Sequence, residues 1–169
     1  MTSNYISKQL LTTSINIHSS HIRGNVNETI LRQLKSRFEG VCNQDGYIEK
    51  DSIVVISRSI GEVTSINNKS YIVYNITYEA NVISPSNGDK LSCTINTVSK
   101  VGVIAYVKEK EDHTMNDSPF VIMIPKESFE SDEVVDSLIV GSQLDVVIEA
   151  FRIKYLSKQI QVVAKPVKT

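Results

Sequence analysis

The segment Ile72 to Val82 constrains the fold of this chain more than any other. Ile72, Tyr74, Ile76, Tyr78, Ala80 and Val82 fall on one side of a strict alternation, and Asn75, Thr77, Glu79 and Asn81 fall on the other. Successive side chains of a strand point to opposite faces, so the pattern predicts a long strand buried on one face only. Such a strand has to cross a curved sheet, because extended strands twist along their length.

The residues before it supply the rest of that layer. Gln9 to Ile17 is rich in Leu, Thr and Ile and ends in alternation at Ile15 and Ile17, which predicts an edge strand. Asn25 stands three residues before Glu28 in the manner of a capping box. Val26, Ile30, Leu34 and Phe38 then recur every fourth residue, while Arg32, Lys35 and Arg37 face water. The spacing predicts one amphipathic helix over Val26 to Phe38, ended by Gly40. Tyr47 to Ser57 and Glu62 to Ile66 read as strands, with Asn67-Asn68 as a turn.

Pro85, Ser86, Asn87 and Gly88 punctuate the chain, and a boundary is expected there, between residues 1–84 and 85–169. Beyond it, alternation at Leu91, Cys93 and Ile95 and at Val103, Ala105 and Val107 predicts two strands joined at Ser99 to Gly102. Phe120 to Ile124, stopped by Pro125, is a third. Leu144, Val146 and Ile148 make a fourth, and Ile160, Val162 and Ala164 a fifth. Lys108 to Ser118 is polar and aperiodic, hence an exposed loop. Five short strands with a longer segment between the third and fourth have the rhythm of an OB-fold barrel. The expected architecture is an α+β N-terminal domain, a curved antiparallel sheet with one helix, followed by an all-β OB-fold barrel.

Composition narrows the function. The 169 residues are 41% hydrophobic and 22% charged, with a formal net charge of -1. That balance suits a soluble globular protein and provides no overall basic field to draw nucleic acid, so any RNA contact has to be local. No basic N-terminal region precedes an apolar stretch and no apolar run is long enough to span a bilayer, so neither a secretory leader nor a membrane partner is expected. The Asn-X-Ser/Thr matches at Asn27, Asn68, Asn75 and Asn116 then reflect abundant Asn. Richness in Ile, Asn and Lys without Trp suggests AT-rich coding DNA.

No catalytic constellation emerges. His18 and His21, with Cys42 downstream, lack the second pair that a four-ligand metal site needs. Cys42 and Cys93 fall on apolar-patterned positions, as reduced core residues do. Glu109, Glu111 and Asp112 read as a solvated acidic loop. No metal, cofactor or enzymatic activity is expected. An OB barrel binds single strands with aromatic rings and scattered positive charge. The candidates are Lys100, Tyr106, Lys108 and Phe120 on the second and third strands, and Arg152, Lys154, Tyr155 and Lys158 in the last hairpin.

A family resemblance enters at Glu39-Gly40-x-Cys42, Gly46-Tyr47-Ile48, Ile60-Gly61-x-Val63 and Val73-Tyr74-x-Ile76-x-Tyr78-x-Ala80-x-Val82-x-x-Pro85-x-x-Gly88-Asp89. In order and spacing these motifs resemble the stalk subunit of multisubunit DNA-directed RNA polymerases: the seventh subunit of RNA polymerase II and its archaeal E-prime counterpart. From Gly88 through Val101-Gly102, Ile124-Pro125 and Gly141 to Lys165, the chain is similar to the RNA-binding OB domain first named in a ribosomal protein. The resemblance implies a tip domain that docks on the large polymerase subunits through Gly40, Cys42, Gly46, Tyr47, Gly61 and Val63. It implies a barrel that contacts nascent single-stranded RNA near the exit path, and a small helical fourth-subunit partner. Two departures stand out. Val101 and Ile104 replace the aromatic pair of the second strand, and the acidic loop Glu109 to Pro119 replaces a Gly-Pro stretch. The divergent character looks like that of a family member encoded by a large DNA virus, placing it in a cytoplasmic virus factory or virion, whereas a cellular member would be nuclear. The alternative is a free-standing OB-type RNA-binding protein of translation or RNA decay.

Overall fold

The computed structural model describes residues 5–22 and 24–167. The chain divides into two compact units, and the division is not a single cut. Of the described residues, the barrel unit takes in residues 5–6, Gly40–Tyr47 and residues 83–167; the sheet-and-helix unit lies within Ser7–Glu39 and Ile48–Val82. The junction at Ile83 lies beside the boundary expected at residue 84. The two early segments join the barrel because their apolar side chains do: Cys42 and Tyr47 are buried in the barrel core, and Tyr5 and Ile6 pack against it.

In the sheet-and-helix unit, β5 (Lys69–Ile83) is central, with β1 (Ile6–His18) on one side and β2 (Tyr47–Ile48) on the other. β3 (Val54–Arg58) and β4 (Glu62–Ile66) both pair antiparallel with β5, at Val54↔Glu79 and Glu62↔Val73. The alternating face of β5 does what its pattern dictates. Tyr74, Ile76, Tyr78, Ala80 and Val82 are buried in one cluster with Ile15, Ile17, Ile30 and Leu34. α1 spans Val26–Phe38, and the Asn25 side chain accepts from the Asn27 amide at 3.0 Å, a cap worth about 1 kcal/mol. Phe38 stacks on Tyr78 with ring centroids 5.8 Å apart.

One expected strand is interrupted. Tyr47 to Ser57 breaks into β2 and β3, because Asp51 takes a left-handed φ of 61° and the Ser52 hydroxyl turns back to donate to the Glu49 carbonyl. The continuous apolar run there is likewise split: Ile53 is buried, while Val54 and Ile56 are exposed.

The barrel unit is a closed five-stranded barrel. Its strands are β6 (Lys90–Ser99), β7 (Gly102–Tyr106), β8 (Phe120–Pro125), β9 (Gln143–Arg152) and β10 (Ile160–Pro166). They close in the order β10-β8-β7-β6-β9. β10 runs parallel to β8 and antiparallel to β9, and the remaining neighbours are antiparallel. This mixed order is compatible with an OB-like barrel. Its interior is the alternating set expected from sequence, with Val103, Ala105, Phe120, Ile122, Ile124, Val146, Ile160 and Ala164 entirely inside. A short helix, α2 (Asp132–Asp136), occupies the connection from β8 to β9 and buries Val135. At the tight β6–β7 turn, Gly102 has φ +150°, and a Cβ there would collide with the Ile124 carbonyl. Only glycine lets β7 approach β8 this closely at that point.

Candidate nucleic-acid interface

In an OB-type barrel the oligonucleotide surface is the face of the second and third strands and the loops joining the first to the second and the fourth to the fifth. Here those elements are β7 and β8, the turn at Ser99 to Gly102, and the connection from Ile153 to Gln159.

The register separates the two loops. The Lys126 amide donates to the Val101 carbonyl and Gly102 pairs with Pro125, so Lys100 sits at the C-terminal end of β8. The Ile160 amide donates to the Pro119 carbonyl and Ile160 pairs with Phe120, so the later loop sits at the N-terminal end. At about 3.3 Å per residue the two ends of β8 lie roughly 16 Å apart. Lys100 is therefore not brought together with Arg152, Lys154, Tyr155 and Lys158. Lys108, two residues beyond Tyr106, follows the end of β7 that pairs with Val121, and so lies at the later loop's end of β8.

Two expected stacking residues have to be corrected. Phe120 has no exposed surface, and its ring meets Tyr5 edge-on at 5.4 Å. Tyr106 is 9% exposed. Neither ring can receive a base. Among the docking residues, Cys42 and Tyr47 are likewise core side chains and Gly46 is buried, so these three present no side chain to a partner. What surrounds them is a tight Asx turn: Asn43 Oδ1 accepts from the amides of Asp45 and Gly46 at 2.8 and 2.9 Å. Gly40 and Gly61 are half-buried, and Val63 is exposed.

The β9–β10 loop is built to hold one shape. Leu156 stands at φ 65°, a left-handed conformation that leucine rarely takes. The Leu156 amide donates to the Cys42 carbonyl at 2.8 Å, and the Cys42 amide donates to the Ser157 carbonyl at 2.8 Å. Gln159 Nε2 donates to the Met115 and Ser118 carbonyls at 2.6 and 3.1 Å. On this frame Arg152, Lys154, Tyr155 and Lys158 are all exposed, and none of the three cations has an ion pair among the described residues.

Sequence reasoning missed Phe151, which is 38% exposed beside Arg152. It also missed a groove of about 370 Å³ on the outer surface of β8, β10 and β9, lined by Val121, Met123, Phe151, Arg152, Gln161 and Val163. One signal was available in the sequence: Ala150 to Thr169 contains Arg152, Lys154, Lys158, Lys165 and Lys168 and no carboxylate.

The thiols are protected. Burial pushes the Cys42 thiol up to about 11, and burial with the nearby Asp145 charge pushes Cys93 up to about 12. His18 and His21 meet edge to face at 5.8 Å, and no third metal-ligating side chain joins them among the described residues. No helix among the described residues is long and apolar enough to cross a membrane. No protein-family model matches the chain, and no curated protein matches it in sequence.

Proposed function

We propose that the chain is a non-catalytic stalk subunit of a multisubunit DNA-dependent RNA polymerase. Its sheet-and-helix unit acts as a tip domain that docks on the large subunits, and its barrel, read as an OB-fold, contacts nascent RNA. The observation that carries this reading is the exposed apolar stretch around Gly61, between β3 and β4. Ile60 is 90% exposed and Val63 78% exposed, with Val54 and Ile56 on the preceding strand also more than half open. Apolar side chains exposed in this way along β3 and β4, which run one after the other beside β5, mark a surface that a partner covers. They coincide with the Ile60-Gly61-x-Val63 motif that resembles the stalk family's docking region. An exposed basic loop on a barrel compatible with the OB order supports the RNA-contacting half of the reading.

The alternative, a free-standing RNA-binding protein of translation or decay, uses the same basic loop but gives the exposed Ile60 stretch no role. The experiment is a tagged pull-down of the full chain from producing cells, with and without I60D/V63D. The stalk reading expects two very large polymerase subunits in near-equal amounts, and their loss in the double variant. Recovery of the chain alone, or with ribosomal or decay factors, overturns it. A helical fourth-subunit partner, if part of this assembly, would be recovered with the large subunits.

A further inference from the structure

Resting on the RNA-contacting half of that reading, we propose that single-stranded RNA crosses the β9–β10 hairpin, stacking bases on Phe151 and Tyr155, instead of crossing the β7–β8 face. The usual face of such a barrel holds no platform here. Its cross-strand pairs are Gly102 with Pro125, Ile104 with Met123, and Tyr106 with Val121, and the one ring among them is buried. Base stacking on proteins needs an open aromatic face. In the barrel unit, the exposed aromatic side chains among the described residues are Phe151, at 38%, and Tyr155, at 59%.

Charge points to the same place. Phe151 and Tyr155 flank Arg152 and Lys154, and Lys158 follows in the same loop. Arg152, Lys154 and Lys158 are exposed and make no ion pair among the described residues, in a chain whose net charge is -1, so positive potential gathers at this loop. The adjoining groove contains no acidic side chain. Its floor is two cross-strand rows, Val121–Gln161–Arg152 and Met123–Val163–Ala150. An apolar floor edged by an arginine and an amide suits a nucleobase and its phosphate better than an acidic peptide, which would leave the floor unused. The pinned conformation of the loop lowers the ordering cost of binding.

The test uses the full chain with a short oligouridylate carrying photoreactive 4-thiouridine. Crosslinked peptides are expected to map to Phe151–Lys158, and Y155A and F151A are each expected to weaken binding about tenfold. Val101→Glu, which puts a carboxylate on the exposed β6–β7 turn at the opposite end of β8 from the loop, is expected to leave binding unchanged. Y155A alters only a loop side chain, so its result stands even if F151A loses stability. Crosslinks confined to β7 and the β6–β7 turn together with a weakened V101E variant would overturn this path while keeping the RNA reading. Absence of any binding by the unaltered chain at low salt would overturn both, and the polymerase pull-down would still decide the stalk reading separately.

Discussion

The amide of Leu156 donates to the carbonyl of Cys42 at 2.8 Å, although the two residues are far apart in sequence. This bond, with its companion from the Cys42 amide to the Ser157 carbonyl, holds Leu156 at a positive φ that its side chain resists. A leucine in that conformation costs about 1 to 2 kcal/mol. L156G removes the clash while giving the unfolded chain more freedom, so it is expected to be neutral or stabilising by up to about 1 kcal/mol. L156P cannot reach the angle and loses the donor, so it is expected to unfold at clearly lower denaturant. Urea titrations of both variants check the pair.

Ser118 is 1% exposed, and its hydroxyl holds three backbone groups. It accepts from the Val107 and Phe120 amides at 3.0 and 3.1 Å and donates to the Phe120 carbonyl at 2.7 Å. S118A leaves two buried amides without an acceptor, so a loss of about 2 to 4 kcal/mol is expected from denaturant unfolding.

Cys93 and Cys42 titrate near 12 and 11, above the ordinary 9.0 of a thiol. Both are expected to resist iodoacetamide at about pH 8 in the folded chain and to react after unfolding, because the thiolate is the nucleophile. Below pH 9.0 the folded and unfolded chains both keep these protons. Above it the unfolded chain releases them first, so stability is expected to fall as pH rises toward 12. Unfolding midpoints measured across that range, against C42A/C93A, isolate the contribution of the thiols.

Charge reversal at Arg152, Lys154 and Lys158 is expected to reduce RNA crosslinking and leave recovery of the polymerase subunits intact. If these three side chains contact phosphates, the salt dependence of single-strand binding should fall by about 2 in log–log slope. An unchanged slope would remove them from the interface.

Periodicity made the interior legible. α1 begins and ends where its apolar stripe does, and the inward residues of β6, β7, β9 and β10 were readable from alternation, because burial on one face imposes it. Periodicity is blind to the end of a strand, where inward and outward lose their meaning. Tyr106 and Phe120 were therefore misread as surface rings, and Phe151 was passed over. It is equally blind to association between distant segments. Nothing local in Gly40–Tyr47 announces that Cys42 and Tyr47 complete the barrel core, since the bonds that fix them go to Leu156 and Ser157.

That division of the chain sets an order of assembly during synthesis. Every residue of the sheet-and-helix unit has been made once Val82 leaves the ribosome, and its core can form then. Cys42, Tyr47 and Ile83 emerge in the same interval, but their packing partners reach as far as Ala164. Until that last strand is translated, these three apolar side chains wait without a cavity to enter. A nascent chain paused between the two points is the state in which a chaperone would find it.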